Sequence, residues 1–230
     1  MQALGRALPA SRRSAKACRR PQLELLLAAL PKSTIACTRD RMIMLLCYFG
    51  ALTTFELLDL DIEHLEFVDD VLVLHGVSRR GEPRVVGRGS GSMCPVRAVE
   101  DWLAISHLQS GPLIRGIGGG ALGGGTSVGD IQPKRYTQAA LWIQLRNWFR
   151  AAKLPLSGMT VLSFRFGFLL DAYDAGVRLS DLADHLGVQQ VRTIIRTVRR
   201  LHHPLRPDDE APRRRVRRVS WKTGYRPKGP

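Results

Sequence analysis

The sequence is short of what a disulfide framework, a zinc site or a membrane span requires. Its 230 residues contain four cysteines, Cys18, Cys37, Cys47 and Cys94, and no two of them form a C-x-x-C pair. Scattered single cysteines exclude a disulfide scaffold and a thiolate zinc site, and they fit a reducing intracellular compartment, the cytoplasm and nucleoid or a nucleus. His202-His203 is too closely spaced for a helical ligand pair and lacks companions, so neither a metal nor a small-molecule cofactor is expected. The longest apolar run, Met42 to Leu52, has eleven residues. A membrane helix needs roughly twenty, so this run reads as a buried helix and no membrane association is expected. The N-terminus lacks the apolar stretch of a secretory signal, and the chain has no internal repeat.

Acidic residues are absent from the first twenty positions, which carry six basic groups. Residues 205–230 carry nine basic and three acidic groups, whereas 21–204 carry 20 and 17. The net charge of +15 therefore sits mostly at the two ends. Basic ends of this kind meet phosphate, and nucleic acid is the favoured partner over simple solubilisation. Apolar residues make up 44% of the chain, enough for one full-sized core. The expected organisation is a basic disordered segment over 1–20, one domain over 21–202, and a basic Pro/Arg-rich disordered tail over 203–230.

Within the domain the periodicity is mainly helical. Pro21 suits the first turn of a helix that Pro31 ends. Thr38 reads as the N-cap of a second helix running to Gly50, and 54–60 as a short third. Val71 to His75 and Pro83 to Val86 form a hairpin whose turn contains Arg79 and Arg80. Cys94-Pro95 opens another helix. Residues 116–128 are rich in glycine. Gly118, Gly120 and Gly123 satisfy G-x-G-x-x-G by position alone, without the strand, helix and acidic residue that a dinucleotide site requires, so the stretch reads as a loop. A helix over 137–152 buries Leu141, Leu145, Trp148 and Phe149, and Trp142 is assigned with Trp148 to the core rather than to base stacking. Helices over 163–175, from a Ser180 cap, and over 188–201 complete the order. The last carries Val188, Val191, Ile195 and Val198 on one stripe, with Arg192, Arg196, Arg199 and Arg200 around it. The fold class is mainly α with a small antiparallel sheet, α+β.

Several phrases, in this order, resemble the catalytic domain of the tyrosine recombinases (phage integrases). They are Arg39-Asp40-Arg41 through Gly50-Ala51-Leu52; Glu56-Leu57 with Leu60-Asp61; the hairpin with a basic turn; Cys94-Pro95-Val96-Arg97-Ala98 with Trp102-Leu103; Gly111-Pro112-Leu113-Ile114-Arg115; Leu162-Ser163-Phe164-Arg165-Phe166-Gly167; and His185-Leu186-Gly187 before a basic helix. The resemblance covers roughly residues 21–200. It implies a recombinase catalytic-core fold in a DNA recombination and integration context, with double-stranded DNA as partner. In such enzymes a tyrosine attacks a phosphodiester, two arginines hold the charge that builds on the phosphate, and a histidine and a lysine handle protons.

Mapped by that resemblance, the second arginine is retained as Arg165. The first arginine is replaced by Thr53, the box histidine by Leu162, the later histidine or tryptophan by Val188, and the nucleophile by Thr197. Arg79 or Arg80 stands for the hairpin lysine, and an arginine is a poor proton donor. An aliphatic hydroxyl at 197 requires an activating base. The resemblance thus implies a scaffold with an emptied site. Tyr225 is the one alternative nucleophile, read as a tail aromatic like Trp221. The family's helical domain before the catalytic one has no counterpart in the roughly twenty residues ahead of the match.

The leading expectation is a DNA-binding, catalytically inactive protein that contacts DNA through Arg79, Arg80, Arg165, Arg192, Arg196 and Arg199. It would act beside an active recombinase or by self-association on DNA. The alternatives are an active divergent strand transferase forming a covalent protein–DNA intermediate, a helix-turn-helix regulator built on Leu182 to Val188, and a non-specific nucleic-acid or ribosome binder acting through the tails.

Overall fold

The computed structural model describes residues 15–31, 34–77, 81–118, 131–201 and 203–210. Arg79, Arg80, most of the glycine-rich stretch, Trp221 and Tyr225 lie outside them. Among the described residues the architecture is mainly helical with small antiparallel sheets.

Helix α1 (Arg20–Ala28) starts with proline in its first turn, where the missing N–H costs nothing. Helix α2 (Ile35–Phe49) is capped by Thr34, whose side chain accepts from the Cys37 N–H. The cap therefore lies one turn ahead of Thr38, because Ile35 and Ala36 are buried and belong to the helix. Helix α2 is the centre of the fold, with Met42 through Tyr48 all buried. Helix α3 (Thr54–Leu58) follows after a short bend.

The expected hairpin is the distal part of a three-stranded sheet: β1 (Leu65–Val68), β2 (Val71–Leu74) and β3 (Arg84–Gly87), in the order β1-β2-β3 and antiparallel throughout. Strand β1 shows no alternation of apolar and polar residues, which hides it in the sequence. Helix α4 (Pro95–Ser106) is capped by the Cys94 sulfur, which accepts from the Arg97 N–H. A second sheet pairs β4 (Arg115–Ile117) with β5 (Ile131–Arg135). It brackets the glycine-rich stretch, whose flanks are thus strands rather than loop.

Helix α5 (Gln138–Ala151), capped by Thr137, buries Leu141, Leu145, Trp148 and Phe149 as the periodicity predicts. Trp142 is 42% exposed, so its assignment to the core is corrected. It stands one residue from Leu141 and so about 100° round the helix from that stripe. Helices α6 (Leu162–Asp174), α7 (Leu179–His185), α8 (Val191–Arg200) and α9 (Pro207–Glu210) complete the order. Helix α7 is preceded by Arg178, not by Ser180, and α8 starts three residues after Val188. On α8 the buried pair is Ile194 and Val198, with Val191 and Ile195 at the margin, and Val188 packs on the same cluster from ahead of the helix.

One large apolar cluster joins α1, α2, α4, α5 and the three-stranded sheet. A smaller one joins the far side of α6 to α7 and α8. Two stretches that composition assigns to the tails pack onto this body. Cys18 is fully buried, its N–H donates to Ser163 O, and Arg19 pairs with Asp171 and Asp174. Beyond α8, Arg206 lies over the Tyr173 ring at 4.1 Å, and Tyr173 donates to Asp209. Net charge alone does not reveal these attachments, because Arg19 and Arg206 have acidic or aromatic partners distant in sequence.

Candidate functional site

The site forms where the C-terminus of α2 leaves free carbonyls, which a helix end exposes and a buried location must satisfy. Three side chains from three other elements supply the donors. His185 of α7 bonds Phe49 O at 2.8 Å through Nε2. Arg84 of β3 donates to Gly50 O at 2.9 Å and to Ala51 O at 3.3 Å. Arg165 of α6 donates to Ala51 O and, at 2.5 Å, to Leu186 O. Ala51 sits at φ 47°, a left-handed conformation uncommon outside glycine. Both arginines converge on its carbonyl and hold the bend in place.

Glu56 completes the arrangement. Its carboxylate accepts the Thr53 N–H at 2.7 Å while the Thr53 hydroxyl accepts the Glu56 N–H, a reciprocal cap that starts α3. The same carboxylate lies 3.4 Å from Arg84 and 3.6 Å from Arg165. Two buried guanidiniums thus share one carboxylate, and the cluster carries a net positive charge. Burial pushes the Arg165 guanidinium down to about 10, with Glu56 opposing and Arg84 reinforcing the shift. It remains protonated at neutral pH. Burial likewise pushes the His185 imidazole down to about 4, the bond to Phe49 O opposes this, and the nearby Arg84 and Arg165 charges add to it. His185 is neutral at pH 7 and donates through Nε2.

In front of this cluster opens a cleft of about 1020 Å³, at the top of the roughly 300–1,000 Å³ range of ligand pockets. Arg165, Leu186 and Gly187 line it together with Thr53, Phe55 and Asp59 around α3. Gln138 and Trp142 of α5 and Leu162 at the start of α6 contribute as well. At the end of the three-stranded sheet, His64 and His75 are cross-strand neighbours, joined by His75 N–H to His64 O at 2.8 Å, and both face the cleft. The Asp61 N–H donates to His64 Nδ1 at 3.1 Å, so the neutral ring carries its proton on Nε2.

Three of the positions mapped by resemblance, Thr53, Leu162 and Arg165, share the cleft. Val188 lies next to the lining residue Gly187 and packs at the margin of the smaller cluster. Thr197 is on α8, where its hydroxyl donates to Thr193 O at 2.8 Å. Arg192, Arg196 and Arg199 are exposed on the same helix. Asp171 pairs with Arg19 and accepts from the Tyr48 hydroxyl, and the acid beside Arg165 is Glu56. Sequence reasoning missed Arg84. The signal was present, since a period of two along β3 places Arg84 on the same inward face as Val86. Among the described residues no group of His, Cys, Asp or Glu has the arrangement to hold a metal ion.

The fold is that of a tyrosine-recombinase catalytic domain. Solved structures that share it include XerH site-specific recombinase bound to a palindromic difH substrate (TM-score 0.58, 16% identity, covering 79% of this chain and 48% of that one). They also include XerA recombinase (TM-score 0.55, 17% identity, 82% and 65%). A third is the Tn1549 transposon integrase in complex with transposon right-end DNA (TM-score 0.54, 13% identity, 85% and 63%). The chain spans about half the length of the XerH chains it matches. No protein-family model and no curated protein matches the sequence.

Proposed function

We propose that the chain is a DNA-binding protein that uses a recombinase-type fold without recombinase cleavage chemistry. The observation that carries this reading is the state of the cleft. Among the described residues, the mapped positions that line it are Thr53, Leu162 and Arg165, of which Arg165 alone is charged, and its NH1 and NH2 are bonded to the carbonyls of Ala51 and Leu186. Removing one charge-stabilising donor typically costs about 10²–10³ in rate. The absence of the other arginine, the histidine and the tyrosine at positions 53, 162 and 197 therefore leaves no workable strand cleavage. Thr197 has neither a phenol's acidity nor a base at hand, and its hydroxyl is spent on Thr193 O.

Binding falls to the exposed arginines of α8, Arg192, Arg196 and Arg199, with Arg79 and Arg80 of the hairpin turn and the basic ends adding phosphate contacts. Two of the solved structures that share the fold, XerH and the Tn1549 integrase, hold DNA, and the same fold here offers double-stranded DNA as partner. On DNA the chain occupies sites with further copies of itself or in the assembly of an active recombinase.

A salt series on duplex DNA tests the reading with the full chain and with Arg192, Arg196 and Arg199 changed to alanine. Each arginine–phosphate pairing that is removed makes the slope of log K against log salt shallower by about 0.9. The expected result is a shallower slope by two to three such steps, and no protein–DNA adduct after denaturation. A covalent adduct overturns the inactive reading, and an unchanged slope removes α8 from the interface.

A further inference from the structure

We infer that the cleft holds two arginines of the chain's own N-terminal segment, Arg12 and Arg13, with their guanidiniums over Trp142 and Phe55 and facing Asp59. Both arginines lie outside the described residues. The lining of the cleft carries two carboxylates, Glu56 and Asp59, and one guanidinium, Arg165. Arg165 donates through NH1 and NH2 to the carbonyls of Ala51 and Leu186, and Glu56 is shared between Arg84 and Arg165. Asp59 remains, exposed and in no ion pair among the described residues. The charge left open is therefore negative, which attracts a cation and repels phosphate. Trp142 of α5 is 42% exposed, and Phe55, four residues before Asp59, is 59% exposed. A guanidinium suits both features, since its plane stacks on an aromatic face and its N–H fork fits a carboxylate. The fold already uses such pairs, with Arg39 over Tyr136 at 4.8 Å and Arg206 over Tyr173 at 4.1 Å.

Chain connectivity names the source of the cation. Ala15 itself lines the cleft. The chain is fixed there, because the Lys16 N–H donates to Gly158 O and the Cys18 N–H to Ser163 O, both at 2.8 Å. Arg12 and Arg13 come three and two residues ahead of Ala15. At roughly 3.3–3.6 Å per extended residue, their α-carbons stay within about 11 Å of it. So short a tether gives both an effective concentration at the cleft of order millimolar, an advantage no untethered cation has. Residues 1–14 contain Arg6, Arg12 and Arg13 and no acidic group, so nothing within the segment neutralises them. The same arginines pair with phosphate when DNA is present, so cleft and DNA compete for them; this last point rests on the DNA-binding reading above.

Trypsin cuts after Arg12 and Arg13, and the rate of those cuts in the full native chain reads the docking. Trp142→Ala is expected to speed them about threefold, the worth of one exposed cation–π contact. Asp59→Asn speeds them as well, while Trp142→Phe keeps most of the protection. Cuts after Arg213, Arg214 and Arg215 serve as the control and keep their native rate. Positions 59 and 142 are exposed, so each variant is expected to melt with the native chain. Equal rates at Arg12 and Arg13 in the native chain and all three variants overturn the inference. Protection that disappears on dilution also overturns it, because the segment then sits on a second copy. Trp142→Ala alters no charge, so a gain of about threefold in duplex affinity reads the competition. Faster cutting with unchanged duplex affinity keeps the docking and overturns the competition. Failure of every form to bind duplex overturns the DNA-binding reading, while the cutting rates still decide the docking.

Discussion

At the scale of single residues, the buried charges around Ala51 define what the site can do. Arg165 spends NH1 and NH2 on the carbonyls of Ala51 and Leu186, so its first task is to hold the bend between α2 and α3. Arg165→Lys keeps a charge but lacks the fork that reaches both carbonyls. It is expected to lose about 1–3 kcal/mol of stability, the cost of an orphaned buried acceptor. The midpoint of urea unfolding measures this, and an unchanged midpoint would show that the fork is not structural. His185 gives a pH dependence with a definite sign. Its folded-state value of about 4 lies below the ordinary 6.5. Between these values the unfolded chain takes up a proton that the native state refuses. Stability therefore falls as pH drops from about 6.5 to about 4, by roughly 3 kcal/mol from this group. His185→Gln keeps a donor for Phe49 O and removes the ionisation. A melting-temperature series should show that variant losing less on acidification than the native chain.

At the scale of elements, α6 is shaped by what crosses it. A Cβ built at Gly167 would fall 1.7 Å from Cys18 O, so glycine is required for residues 15–19 to lie against the helix. Gly167→Ala must push that segment away, at a cost of about 1–3 kcal/mol typical of overpacking. Cys18 supplies the readout. Its thiol is fully buried and pushed up to about 12, chiefly by burial, with Asp171 adding to the shift, so alkylation should pass it by in the native chain. Peptide mapping of the alkylated Gly167→Ala protein should find Cys18 labelled. Labelling equal to that of the native chain would mean that the segment stays in place. Two residues of the phrase Leu162 to Gly167 do different work. Arg165 faces the α2 bend while Gly167 lets the preceding chain pass.

For the whole molecule, the folded body extends past both ends that composition assigns to it. Residues 15–20 add Cys18 to the core and the Arg19 pairs with Asp171 and Asp174, and residues 203–210 add Arg206 and Asp209 against Tyr173. A chain cut to 21–202 is therefore expected to melt well below one cut to 15–210, and scanning calorimetry of the two separates them. Equal melting temperatures would show that these attachments contribute nothing. Much of this protein was legible without coordinates. The helical periods located α4, α5 and α6, and the stripe Leu141, Leu145, Trp148, Phe149 is buried as read. The ordered phrases pointed to a recombinase-type fold, because a motif is a local string whose spacing survives in the chain. The sequence left other features open. Strand β1, without alternation, and the paired flanks of the glycine-rich stretch take their structure from partners. Trp142 is exposed because the cleft leaves its side of α5 uncovered, and Arg84 is buried because the carbonyls at the end of α2 receive it. Sequence determined which faces are apolar and which motifs recur, since both are properties of neighbours along the chain. Tertiary structure alone decided which buried charges meet and which aromatics stay open, since those depend on groups that are distant in sequence and adjacent only after folding.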